Sequence, residues 1–164
     1  MADHLLEVRG LSVDFHTAQG TVHAVRDVHW HLDRGECLAI LGESGSGKSV
    51  SASAIMNLID CPPGEIVSGE ILFDGRDLLK MSNEDRRQLN GKRIAMIFQD
   101  PLSHLNPVYK VGWQIEEIMT AHGTPRDQAR ARCLELLERV GIPDFANKVD
   151  AYPHQFSGGQ RQRL

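Results

Sequence analysis

One stretch of eight residues, Gly42-Glu43-Ser44-Gly45-Ser46-Gly47-Lys48-Ser49, constrains this chain more than any other. It fits the pattern Gly-x-x-x-x-Gly-Lys-Ser/Thr at every fixed position. Its glycines let the backbone wrap so that successive amides point inward, toward an anion. A helix opening at the end of the loop adds the positive end of its dipole. Lys48 is then placed to reach outer phosphates, and the Ser49 hydroxyl to bind Mg²⁺. The context agrees. Residues 37–41 (Cys-Leu-Ala-Ile-Leu) are apolar on both faces, as a covered parallel strand requires. Residues 49–59 are small and apolar and read as a helix stopped by Pro62-Pro63-Gly64. The candidate phosphate-binding residues are therefore Gly42, Ser44, Gly45, Ser46, Gly47, Lys48 and Ser49.

Length and charge bound the remainder. At 164 residues the chain is one domain, or one with an appendage. Its formal net charge of −4 speaks against a basic nucleic-acid binder. The longest apolar runs, 37–41 and 94–98, fall far short of the ~20 residues of a membrane-spanning helix. The start, Met1-Ala2-Asp3-His4, has neither a basic region nor an apolar signal core, so a cytoplasmic location is expected. Cys37, Cys61 and Cys133 are too scattered for a disulfide framework and read as free thiols. His29 and His31 point the same way from a strand, but the sequence offers no third ligand at a sensible spacing. A solvated strand face is the preferred reading.

Periodicity sketches the elements. Two short strand-like runs, 5–8 and 11–15, are broken by Gly10. Residues 27–33 alternate, with Val28, Trp30 and Leu32 on one face, as in a half-buried antiparallel strand. Residues 70–74 form another strand and end in the turn pair Asp74-Gly75. Ser82 is the expected cap of a short helix over 83–89. Residues 93–98 read as a second buried strand. Val111, Ile115, Ile118 and Met119 then recur at helical spacing up to Gly123. Thr124-Pro125-Arg126-Asp127 is a helix start, with Thr124 as cap, and Ala129, Cys133, Leu136, Leu137 and Val140 make its apolar stripe. Residues 1–100 thus look α/β and 101–164 helical.

Two further segments carry a family resemblance. Ile97-Phe98-Gln99-Asp100-Pro101 with Leu105-Asn106-Pro107 resembles the Q-loop of ABC transporter ATPases. Residues 152–163, including Phe156-Ser157-Gly158-Gly159-Gln160, resemble their LSGGQ signature, with Phe156 in place of leucine. Phe73-Asp74-Gly75 and the wording around Gln99 look most like the ATP-binding subunits of dipeptide, oligopeptide or nickel importers. The resemblance implies a P-loop NTPase (RecA-like) core of α/β class, with an amino-terminal antiparallel β subdomain and an α-helical subdomain. It implies ATP and Mg²⁺ as ligands, Lys48 and Gln99 as catalytic residues, and Ser49 and Gln99 at the metal. Phe15 falls where an aromatic stacks on adenine, although its strand position equally suits a core residue. Ser157, Gly158, Gly159 and Gln160 would close on the ATP held by a second ATP-binding subunit, identical or paralogous. Transmembrane permease subunits would dock on the helical part, and a solute-binding protein would act indirectly. Trp113 and Tyr109 lie in that part; burial is the commoner fate of such aromatics. The expected function is ATP-driven import of peptides or a similar solute at the cytoplasmic face of the membrane.

The family pattern continues past the signature to a strand ending in Asp-Glu, and Leu164 is reached first. Neither Asp60, Asp74 nor Asp100 is a credible substitute. From the sequence alone the chain is therefore expected to lack the carboxyl-terminal part of the core, to be a fragment or truncated product, and to hydrolyse little ATP. A hydrolysis-deficient nucleotide-binding or regulatory module is the alternative. A soluble ATPase acting on DNA or ribosomes fits the acidic balance poorly.

Overall fold

Alternation of apolar and polar residues builds the amino-terminal half around one antiparallel sheet. The computed structural model describes residues 4–164, apart from the side chains of Pro101 and Leu102. Met1, Ala2 and Asp3, read above for targeting, lie outside the described residues. The chain divides into two units, Met1–Ile94 and Ala95–Leu164.

In the first unit, β1 (Leu6–Thr17) pairs antiparallel with β2 (Gly20–Leu32) and with β3 (Gly64–Phe73), and β4 (Arg76–Asp77) extends the edge. The sheet order is β2-β1-β3-β4. Gly10 does not break the first strand; it makes a bulge within it. Val8 faces Trp30 and Leu11 faces Val28, so three steps on β1 match two on β2. Gly10 sits at φ +59°, and the extra residue returns Leu11 and Val13 to the buried side with Val8. Both β2 and β3 begin well before the stretches that alternation picked out, at Gly20 and Gly64. The β3–β4 turn is Asp74-Gly75, both at positive φ, as a tight hairpin requires.

Helix α1 (Lys48–Met56) buries Ala54 and Ile55 in the core that also holds Val8, Leu11, Val13, Ile71 and Phe73. It ends before the prolines credited above. Asn57 adopts φ 57°, and the Leu58 amide reaches back to the Ser53 carbonyl at 2.8 Å, a Schellman-type stop. Helix α2 (Asn83–Leu89) is capped by Ser82, whose hydroxyl accepts from the Asp85 amide at 3.1 Å. From α2 and its end, Arg86 donates to the Ile55 carbonyl at 2.7 Å and Asn90 to that of Met56 at 2.9 Å. These are the last carbonyls of α1, where a cation suits the helix dipole.

Two expected strands do not form. Residues 37–41 and 95–98 have no regular structure, and Leu41 and Ile97 are 90% and 92% exposed. A both-sided apolar run becomes a buried strand only where neighbours satisfy its amides and cover its faces. Among the described residues no strand pairs with either segment; an isolated bridge joins Asn90 to Ile94.

The second unit is helical: α3 (Pro101–His104), α4 (Val111–Ala121), α5 (Arg126–Arg139), α6 (Phe145–Lys148) and α7 (Gly158–Arg161). Val111, Cys133, Leu137, Ile142, Val149 and Phe156 form its core. Ile118 and Val140, assigned to apolar stripes by spacing, are 48% and 38% exposed and lie outside that core. Thr124 is not the cap of α5. Its amide closes α4 on the Met119 carbonyl at 3.0 Å behind Gly123, and Pro125 takes the cap position. The amides of Val111 and Gly112, at the start of α4, donate to the carbonyls of Ala151 and Val149 at 2.9 and 2.8 Å.

Candidate functional site

The loop over 42–49 lies in the first unit and opens α1. Gly47 is the residue before the helix, at φ +87°, and Gly45 is at φ +83°. The first intrahelical bond runs from the Ser51 amide to the Gly47 carbonyl at 2.8 Å. The amides of Gly47, Lys48, Ser49 and Val50 therefore precede any carbonyl one turn back, and they present donors at the positive helix end. No acidic residue occupies the first turn. Lys48 curls over the loop: its Nζ donates to the carbonyls of Gly42 at 2.7 Å and Glu43 at 2.6 Å, and to Ser46 Oγ at 3.1 Å. The loop is thus closed around an ammonium that phosphate oxygens can recruit. Ser44, Ser46 and Ser49 are all exposed, and of the three Ser46 already accepts from Lys48.

Phe15 and Ser49 line one open pocket of about 250 Å³, with Val50, Ser53, Ile59 and Pro63 on its walls. The pocket joins an aromatic face and apolar walls to the start of the phosphate-loop helix, which suits a flat heterocycle linked to a charged tail. Phe15 is half-buried and also packs against the sheet core, so both readings of that residue have a physical counterpart.

Gln99, Ser157, Gly158, Gly159 and Gln160 lie in the second unit. Gln99 is exposed at a bend. Beside it, Phe98 stacks on His104 with centroids 4.0 Å apart, and His104 Nδ1 and Ser103 Oγ sit 2.7 and 3.0 Å from the Asp100 carbonyl. Ser157 caps α7 in a reciprocal box: its hydroxyl accepts from the Gln160 amide at 3.3 Å, and Gln160 Oε1 accepts from the Ser157 amide at 3.0 Å. A Cβ on Gly158 or Gly159 would meet open space. Packing within the chain therefore does not call for glycine at either place. Tyr109 and Trp113 stack on each other at 4.4 Å and are each 45% exposed, so the commoner expectation of burial fails for both.

The fold gathers a donor cluster that spacing along the chain does not reveal. Spacing gives His31 no third ligand, but strand pairing places His4 and Asp33 beside it. His29 instead pairs with Asp27 at 2.9 Å. The overlooked signal was Asp33, two residues beyond His31; His4 was invisible because its proximity comes from strand pairing.

A family profile described as ABC transporter matches residues 25–164. The chain is 53% identical over 161 residues to the oligopeptide transport ATP-binding protein OppD of Bacillus subtilis, covering 98% of this chain and 45% of that one. It is 48% identical over 161 residues to the dipeptide transport ATP-binding protein DppD of Escherichia coli, covering 98% and 49%. The chain spans about half the length of the curated relatives it matches. Among solved structures it resembles the dimeric post-hydrolysis state of the ATP-binding cassette MJ0796 bound to ADP and Pi. The TM-score is 0.78 at 22% identity, over 96% of this chain and 66% of that one, a likeness of fold.

Proposed function

Because the chain belongs to the ABC transporter family, we propose that it is the nucleotide-binding part of an ATP-binding subunit whose ATP binding and hydrolysis drive import of peptides. The observation that carries this reading is the Lys48 ammonium held over the 42–49 loop at the start of α1. The triphosphate would displace the Gly42 and Glu43 carbonyls from Lys48 and take the amides at 47–50 as its donors. Adenine would lie in the pocket beside Phe15. Ser49 would hold Mg²⁺, which neutralises charge on the phosphates. The glycines at 158 and 159, where a Cβ would point into open space, would let the Ser157–Gln160 segment approach the nucleotide of a second ATP-binding subunit.

Peptide as the cargo is supported by the relatives, which are named for oligopeptide and dipeptide transport. A second subunit is supported by the dimeric state of the structural neighbour. Among the described residues no helix is long and apolar enough to cross a membrane. Separate transmembrane permease subunits would supply the path, with this chain peripheral on their cytoplasmic side. The exposed Tyr109–Trp113 pair is a surface they could cover.

Equilibrium dialysis with labelled ATP and Mg²⁺ tests the core of the proposal. Lys48→Ala removes a charge-assisted contact worth about 1.5–3 kcal/mol, so affinity should fall by roughly 10- to 150-fold. No retention by the native chain, or equal retention by the variant, refutes it.

A further inference from the structure

At one end of the sheet, three donors that nucleotide binding does not use come together. The Leu5 amide donates to the Leu32 carbonyl at 2.9 Å, and the bend at Leu5 brings His4 beside the end of β2. There His31 and Asp33, two residues apart, share a side. The His4 and His31 rings stack with centroids 4.0 Å apart and planes inclined by 28°. His4 Nδ1 lies 2.5 Å from Asp33 Oδ1. One ligand atom from each of the three lies within 4.8 Å of the others.

We propose that His4, His31 and Asp33 form a binding site for a zinc-class divalent transition-metal cation. Two imidazoles and one carboxylate are the donor set such ions prefer, while Mg²⁺ and Ca²⁺ select oxygen-only shells. The other strand histidines differ. His16, His23 and His29 each face one carboxylate, Glu65, Asp14 and Asp27, and none of them stacks on a second imidazole. His31 makes no hydrogen bond to the described residues, which leaves both its ring nitrogens open. Metal–nitrogen bonds of ~2.0–2.1 Å place tetrahedral ligands roughly 3.3 Å apart, so small turns of two exposed side chains and parting of the His4–Asp33 contact admit the ion. Asp33 is 57% exposed, and water completes the shell. The ion would clip the start of β1 to the turn at Arg34-Gly35, from which the chain runs to the phosphate loop.

Competition between the full chain and a chromophoric zinc chelator tests the site, with Co²⁺ absorption as a second reading of ligand field. The expected result is one Zn²⁺ per chain, unaffected by excess Mg²⁺ and by Lys48→Ala. His4→Ala and His31→Ala should each weaken it at least about tenfold, the least that loss of even an outer-shell partner produces. His29→Ala, on the same strand face, should leave affinity and the Co²⁺ spectrum unchanged. Absence of binding by the native chain overturns the site. So does binding that survives His4→Ala and His31→Ala, or that falls equally in His29→Ala. Circular dichroism of each variant separates loss of ligand from loss of fold.

Discussion

Gly47 is pressed against Ala24: a Cβ at residue 47 would stand 2.4 Å from the Ala24 carbonyl oxygen, on a backbone at φ +87°. The phosphate loop is thus seated on β2, and its position is set by contact as well as by turn geometry. Gly47→Ala meets both the left-handed backbone penalty and a clash with main chain. It should destabilise the fold by about 3 kcal/mol or more. Gly45 is at φ +83° with open space around it, so Gly45→Ala should cost only about 1 kcal/mol. Urea unfolding of the two variants checks the difference; equal losses would mean that strain alone, and not the seat on β2, accounts for Gly47.

Arg86 is 4% exposed, and among the described residues one of its guanidinium nitrogens finds an acceptor, the Ile55 carbonyl, while Nε and Nη1 find none. Burial lowers its pKa below the usual arginine range. A buried, half-satisfied cation gains little over an apolar side chain of equal volume. Arg86→Met should therefore shift unfolding free energy by no more than about 1 kcal/mol, whereas Arg86→Ala leaves a cavity and should cost about 2–4 kcal/mol. Thermal denaturation of both decides whether volume or charge holds α2 on α1.

Local signals were legible in the sequence, and those that depend on distant partners were not. Ser82 as a cap, the Asp74-Gly75 turn and the glycine-rich loop at 42–49 each rest on chemistry within a few residues, and each stands where the local pattern puts it. Residues 37–41 failed as a strand because a both-sided apolar run needs neighbours to cover it, and the pattern alone does not say whether they are present. Thr124 failed as a cap because the Schellman bond to Met119 competes for the same residue. His4 carries no local signal, because only the pairing of β1 with β2 brings it to Asp33.

The second unit is tied by charge. Arg130 on α5 reaches Glu116 on α4 at 3.0 Å and Asp150 at 2.6 Å. The hydrogen bond from Arg130, with Lys110 adding its charge, holds the Asp150 carboxyl below its ordinary range. A lowered carboxyl pKa adds stability above the unfolded value of ~3.9 and loses it as pH falls through the folded value. Stability should therefore drop below about pH 4, and Asp150→Asn should flatten part of that slope. Asp150 is 55% exposed, so screening limits its share to about 1 kcal/mol or less. Denaturant titrations of both proteins across that range measure it; identical slopes would remove Asp150 from the account.

The three thiols should divide by burial. Cys37 and Cys61 are exposed, while Cys133 is buried in the helical core with its Sγ 3.8 Å from the Gly112 carbonyl. Burial first, and the negative charge of Glu116 second, push the Cys133 thiol up to about 11. At about pH 8 such a thiol is ionised in roughly one molecule in a thousand, and the thiolate is the reactive form. A colorimetric disulfide reagent should therefore label two thiols quickly in the native chain and the third only on unfolding. Because labelling of Cys133 then waits on opening of the second unit, its rate should rise in Asp150→Asn at about pH 8, where one of the two carboxylates that hold Arg130 is lost. Fast labelling of all three in the native chain would show that the contacts among α4, α5 and Val149 do not close over Cys133.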